Sequence, residues 1–246
     1  MTIFVTAFID LKEDRSQEKS AETRCAHFRN LAATGIPIYL FMSRCYQEMY
    51  NRIVGAPENV TIEYAELEDL DTYKDIAGTD YGLPAKRTPH KDTANFMILM
   101  NAKTEFMHMA MEVCDSKHFA WIDFSIFHVF KEVEKTSAYL RALAEAPLKE
   151  KESFLVIPGC WHGQAEPSFQ HISWRFCGGF FIGDRDSLDA FYKSHRRLFK
   201  TIVNSYGLAW EVNVWAWLES CFQLSCTWVS ADHNDSIVRV PLSVFA

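Results

Sequence analysis

Ile3-Phe-Val-Thr-Ala-Phe-Ile9, Ile36-Pro-Ile-Tyr-Leu-Phe-Met42 and Asn59-Val-Thr-Ile-Glu-Tyr64 decide the fold of this chain. The first run is β-branched and aromatic and stops at Asp10 and a charged stretch, as a buried strand ending in a loop does. Between the first and second runs, Ala21, Cys25, Phe28, Leu31 and Ala32 recur at helical spacing up to Gly35, a C-terminal cap. Between the second and third, Ser43 opens a helix carrying Tyr46, Met49 and Ile53, closed by Gly55 and Pro57. Strand, helix, strand, helix, strand in that order predicts a parallel sheet, because parallel neighbours need a crossover and a helix supplies it.

Working outward, residues 66–90 are acidic and turn-rich, with Gly78, Gly82, Pro84 and Pro89, and read as a surface loop. Residues 91–114 share a helical face through Phe96, Leu99, Met100, Lys103, Met107, Ala110 and Cys114. His118-Phe-Ala-Trp-Ile-Asp123 follows as an apolar strand ending in a carboxylate. Beyond it the pattern predicts a helix over 136–146 and a strand at 154–157. A paired stretch follows over 172–182, interrupted by Gly178-Gly179, then helices over 187–205 and 211–222 and a last strand over 237–244. No repeat or low-complexity linker divides the chain, so 1–246 reads as one domain with a first half of about 1–125 and a second of about 126–246.

Composition narrows the function. The 246 residues are 48% hydrophobic and 23% charged, enough for a large core. A net charge of -7 argues against a nucleic-acid partner, since phosphate backbones demand clustered Lys and Arg. The short basic cluster His195-Arg196-Arg197 reads as a solvated helix face. Seven cysteines, odd in number and without a C-x-x-C pair, indicate neither a disulfide framework nor a zinc ribbon. A reducing, cytoplasmic setting is the expectation. No run of about 18 apolar residues occurs, so any membrane partner would be met peripherally.

In an open α/β sheet, ligands bind at the carboxyl edges of the strands, which makes Asp123 the first candidate. With the Ser125 hydroxyl it can hold a divalent cation against a diphosphate; equally, it can cap the next turn. Lys103 lies on the apolar face of its helix, where an ammonium needs an anion or must snorkel to solvent. Asp92 reads as a helix N-cap, next to Lys91 at a helix start that can receive phosphate. Gly178 and Gly179 permit a bulge or a close backbone approach to a ligand. Trp161, Trp174 and Arg175 offer apolar faces and a guanidinium fork to a ligand, or else fill the core and pair with an acid. Glu211 opens a helix, as a general base or as a first-turn acid favoured by the helix dipole, and Asn213 is a residue that hydrogen-bonds a ligand or a turn residue.

Four segments carry a family resemblance: Lys91-Asp92-Thr93 with Asn101-Ala102-Lys103; His118-Phe-Ala-Trp-Ile-Asp-Phe124; Trp174-Arg-Phe-Cys-Gly-Gly-Phe-Phe-Ile-Gly-Asp184; and Trp210-Glu-Val-Asn-Val-Trp-Ala-Trp-Leu-Glu219. With Val5-Thr-Ala-Phe-Ile-Asp10 and Pro158-Gly-Cys-Trp161, the chain resembles the HtrL/YibB family, grouped with GT-A glycosyltransferases. The resemblance implies a GT-A-like, Rossmann-like fold: a mixed, mainly parallel sheet flanked by helices, with a nucleotide-binding half and an acceptor-binding half. It implies transfer of a sugar from a nucleoside-diphosphate sugar to a glycan, lipid-linked or protein-linked hydroxyl. A non-catalytic nucleotide-sugar binder and a nucleotide-sugar hydrolase are the alternatives.

Residue by residue, the resemblance puts Thr6, Phe8 and Asp10 at the base and ribose, and the diphosphate of such a donor would satisfy the charge of Lys103 and, at the helix start, of Lys91. Glu211 falls on the acceptor side as base. Asp123 matches the first carboxylate of the Asp-x-Asp metal motif, but Ser125 replaces the second. That departure weakens a manganese or magnesium site or passes it to a late ligand such as His233, in Asp232-His-Asn-Asp235.

Overall fold

The computed structural model describes residues 1–13, 18–146, 153–163, 168–221 and 223–245. Among them a seven-stranded sheet runs in the order β3-β2-β1-β4-β6-β5-β7. β1 (Ile3–Phe8) pairs in parallel with β2 (Ile38–Met42) and with β4 (His118–Ile122), and β2 with β3 (Val60–Tyr64). β6 (Phe180–Asp184) runs antiparallel to both β4 and β5 (Leu155–Gly159), and β7 (Thr227–Ser230) lies parallel to β5 on the far edge. The sheet is thus mixed and mainly parallel, the GT-A-like α/β class that the resemblance implies. The chain builds outward from β1 through β2 to β3 and then returns to place β4 on the other side of β1. This reversal of strand order opens a crevice at the strand ends.

Both faces of the sheet are covered, which is why its strands read as unbroken apolar runs. Phe4 and Phe8 of β1 face one core with Leu40, Ile122 and Ile182, closed by α1 (Ala21–Ala32), α2 (Gln47–Ile53) and α6 (Val133–Glu145). Val5 faces the other with Phe41, Trp121 and Phe181, closed by α4 (Ala94–Asn101), α5 (Lys103–Val113), α7 (Arg185–Tyr206) and α8 (Glu211–Ser220). No described helix is long and apolar enough to cross a membrane.

Several elements differ from their sequence-based expectation. Residues 91–114 form two helices meeting at Ala102, which ends α4 and precedes α5. Residues 66–90 are more than a surface loop: Leu67, Leu70 and Ile76 are buried, and a short α3 (Asp71–Lys74) is tied down by Glu105. The Glu105 carboxylate accepts the Asp71 and Thr72 amides at 2.6 and 2.9 Å.

The stretch 172–179 is irregular, and strand pairing resumes only at Phe180. The strand expected over 237–244 is absent. Pro241 has no amide to give a ladder, and Val238 and Val240 are buried by packing instead. The Asp235 carboxylate fastens this tail to the start of α6, accepting from the amides of Lys131 and Glu132 and from the Thr136 hydroxyl at 2.8, 3.0 and 2.6 Å.

His195 is not on a solvated face. It is 1% exposed, with its ring nitrogens 3.2 Å from Thr104 Oγ1 and 3.2 Å from Asn101 Oδ1. Arg196 pairs with Asp71 and Asp75 at 2.6 Å each.

Candidate functional site

A cavity of about 910 Å³ opens where β1 and β4 end, in the size range of small-molecule sites. Its floor holds a buried ion cluster. Lys103, the first residue of α5, is 2% exposed, and its ammonium donates to Glu211 Oε1 at 2.9 Å and to the Gly178 carbonyl at 2.8 Å. Asp123 Oδ1 lies 3.2 Å from the same nitrogen. Burial pushes the lysine pKa down, but the charges of Asp123 and Glu211 outweigh it and the net shift is upward, so the ammonium stays charged. Lys103 therefore does meet anions, though they are the protein's own carboxylates, and no snorkelling occurs.

The local sequence explains the convergence. Asp123 follows β4, and in the β4–β6 ladder Ile122 lies opposite Phe180, so Asp123 falls beside Gly179, whose carbonyl accepts its amide at 3.0 Å. Asp123 Oδ1 also accepts the Trp121 indole N–H at 2.9 Å, which fixes the carboxylate. A side chain on either glycine would displace its neighbours. A Cβ on Gly178 would stand 2.2 Å from Glu211 Oε1, and one on Gly179 would stand 2.9 Å from Ile237 Cδ1. Glycine is needed here for close approach within the protein, so that Lys103 and Glu211 can reach the backbone.

At the β1 end, the Asp10 carboxylate accepts from the Lys12 amide at 3.0 Å and the Tyr46 hydroxyl at 3.4 Å, and the Asp10 amide donates to Ser43 Oγ at 2.9 Å. Ser43 is thus spent on Asp10 and on Glu66, 2.7 Å away, rather than on capping a helix. Phe8 stacks on Tyr46 and on Phe124 with centroids 4.2 and 4.3 Å apart, so packing occupies both its ring faces.

At the mouth, Trp161 and Trp174 are 46% and 39% exposed and both line the cavity, so neither is a core anchor. Lys91 and Ser125 line it as well. Asp92 accepts the Thr88 amide at 2.9 Å, and it is Thr93 that caps α4, its hydroxyl accepting the Phe96 amide at 3.2 Å.

Three candidates fall elsewhere. Thr6 is fully buried within the sheet and is not on the cavity wall. Arg175 is turned away, clasping the Glu219 carboxylate with two bonds of 2.7 and 2.6 Å and stacking over Trp228 at 4.7 Å. Asn213 is fully buried and secures the 168–173 loop, accepting the Ser173 amide and donating to the carbonyls of Ser168 and His171.

His233 is exposed on the cavity wall, its ring 5.8 Å from that of His128. Among the described residues, no group of three or more His, Cys, Asp or Glu side chains converges to hold a metal. Asp123 and His233 share the cavity without forming a cage, and the position next to Asp123 is taken by the Lys103 ammonium. The periodicity of 43–53 hid Tyr46 as an ordinary apolar helix residue, and nothing in the local pattern marked His128 or Asp232, which also line the wall.

Fold and site together define an α/β protein with a cavity at the switch point of its sheet. The profile of the HtrL_YibB family, described as bacterial protein of unknown function, matches residues 47–208, and the chain belongs to that family. No curated protein matches it at a significant level. Among solved structures, it is similar to 4-diphosphocytidyl-2C-methyl-D-erythritol synthase from Anaerococcus prevotii, with 8% identity, a TM-score of 0.44, and coverage of 96% of this chain and 91% of that one. The inositol-1-phosphate CTP transferase from T. maritima follows at 9% identity and a TM-score of 0.44, covering 100% and 94%. A glycosyltransferase involved in glycosylation of the major capsid of PBCV-1 gives 11% identity and a TM-score of 0.38, covering 94% and 82%. These likenesses are remote.

Proposed function

We propose that this protein is a glycosyltransferase that moves a sugar from a nucleoside-diphosphate sugar to a hydroxyl of a glycan or glycoconjugate acceptor. The observation that carries the reading is the Asp123–Lys103–Glu211 cluster on the floor of a nucleotide-sugar-sized cavity, with two exposed indoles at its mouth. In this reading the base and ribose lie by Asp10 at the end of β1, and the diphosphate lies toward Lys91 and Ser125. Asp123, held by Lys103 and Trp121, faces the donor sugar, while Trp161 and Trp174 present apolar faces to the acceptor.

The acceptor oxygen attacks the anomeric carbon, and the bond from that carbon to the diphosphate oxygen breaks with its electron pair leaving on the diphosphate. Glu211 takes the acceptor proton on the carboxylate oxygen not engaged by Lys103. This base role belongs to an inverting transfer; under retention Glu211 has another task. Manganese or magnesium, when bound, would neutralise the leaving diphosphate, taking most of its ligands from phosphate and water.

A second reading is favoured by one observation. The Lys103 ammonium already engages both carboxylates, as in a protein that kept the fold and binds nucleotide sugars without turnover. The test is a thermal-shift panel of nucleoside diphosphates and their sugars, with and without manganese or magnesium, followed by product analysis. A ligand that binds only the folded state raises the melting temperature by mass action. A shift with one nucleotide family and a glycosylated product supports the transferase. A shift without turnover supports the binder, free sugar without acceptor indicates a hydrolase, and no shift with any donor refutes the donor site.

A further inference from the structure

Cys160 and Cys177 are 17 positions apart in sequence, yet their sulfurs stand 3.4 Å from one another. Backbone bonds hold the two segments together. The amides of Cys160 and Trp161 donate to the Trp174 carbonyl at 3.1 and 3.0 Å, and the Cys177 amide donates to the Pro158 carbonyl at 2.7 Å. Both cysteines line the cavity, Cys160 half-buried and Cys177 buried. A disulfide needs its sulfurs about 2.0 Å apart, a short closure for a pair already held in contact. Cys177 immediately precedes Gly178, whose carbonyl accepts the Lys103 ammonium.

We infer that Cys160 and Cys177 form a redox-active dithiol, a modification site at the cavity wall that a small external disulfide of the glutathione class converts into an intramolecular bond. Cys160, the more exposed thiol, gives its proton to solvent, and its thiolate attacks the external disulfide. A mixed disulfide forms, and the first glutathione thiolate leaves and takes up a proton. The Cys177 sulfur, giving up its proton in turn, attacks Cys160 Sγ, and the second glutathione leaves as a thiolate and is protonated. Two protein thiols are oxidised and one external disulfide is reduced to two thiols. Burial, together with the neighbouring Cys160, holds the Cys177 thiol well above its ordinary range, which leaves the first attack to Cys160. The inference is independent of the proposed transfer reaction.

The test is incubation of the reduced protein across a series of glutathione redox buffers, with alkylation and peptide mapping at each step. The expected result is joint loss of the Cys160 and Cys177 thiols, a linked peptide lighter by two hydrogens, and recovery of both thiols with dithiothreitol. Cys160→Ser abolishes the link, whereas the Cys45→Ser/Cys221→Ser double variant, lacking the exposed cysteines, still forms it. A stable glutathione adduct on Cys160, or oxidation confined to Cys45 and Cys221, overturns the inference, as does persistence of both free thiols in the most oxidising buffer.

Discussion

Lys103 is the residue on which the site turns. Its ammonium is buried against two carboxylates, and removing one partner of such a cluster leaves uncompensated charge, typically costing about 3–5 kcal/mol when burial is complete. Asp123 is 38% exposed, so water recovers part of that cost, and Lys103→Met is expected to lose about 2–3 kcal/mol in urea unfolding. A loss under about 1 kcal/mol would mean that the carboxylates are already relieved by solvent. Glu211→Gln keeps an oxygen for Lys103 and removes the base. Transfer is expected to fall about 100-fold or more while the donor-induced thermal shift persists. Full transfer rate in this variant would remove Glu211 from the chemistry.

At the scale of elements, α7 is bound to the α4–α5 junction through His195. Burial lowers the pKa of this histidine to about 3 from an ordinary 6.5. The folded state therefore refuses a proton that the unfolded chain accepts once the pH drops below about 6.5. Stability contributed by the neutral ring is fully present above that pH and is lost progressively as the pH falls toward about 3, by up to about 1.4 kcal/mol per pH unit. His195→Gln, measured by denaturant unfolding between these limits, is expected to show a shallower decline than the parent. Parallel curves would place the proton uptake on other groups. This histidine also marks the boundary of what the chain discloses. The strands β1 to β4 and the helices α1, α2, α6, α7 and α8 were legible because apolar period and glycine stops are local signals, whereas α3 and the break between α4 and α5 were not. His195 sat in a basic triplet that looks solvated, and its burial depends on Asn101 and Thr104, more than 90 positions away. The same holds at the cavity. Asp123, Lys103 and Glu211 were legible as a strand end, a misplaced charge and a helix start. Their mutual pairing was not, nor was the turning away of Arg175 toward Glu219, because both require knowing which distant segments meet.

For the whole molecule, the sheet argues against a boundary near residue 125. β4 pairs with β1 from the first half and with β6 from the second, so any division of the chain there cuts a continuous ladder. Lys103 from the first half and Glu211 from the second share a buried bond, and Asn101 donates to the Ala209 carbonyl at 2.9 Å. We propose that the halves unfold together. The seven tryptophans make this testable, since all of them, from Trp121 to Trp228, lie at or beyond β4. Indole fluorescence reports mainly on the second half, while far-ultraviolet circular dichroism reports on both. Coincident urea transitions by the two probes are the expected result, the standard sign of a cooperative unit. A circular-dichroism transition that precedes the fluorescence change would show β1 to β3 and their helices melting away from a surviving second half, and the chain would then be two cooperative units despite its single sheet.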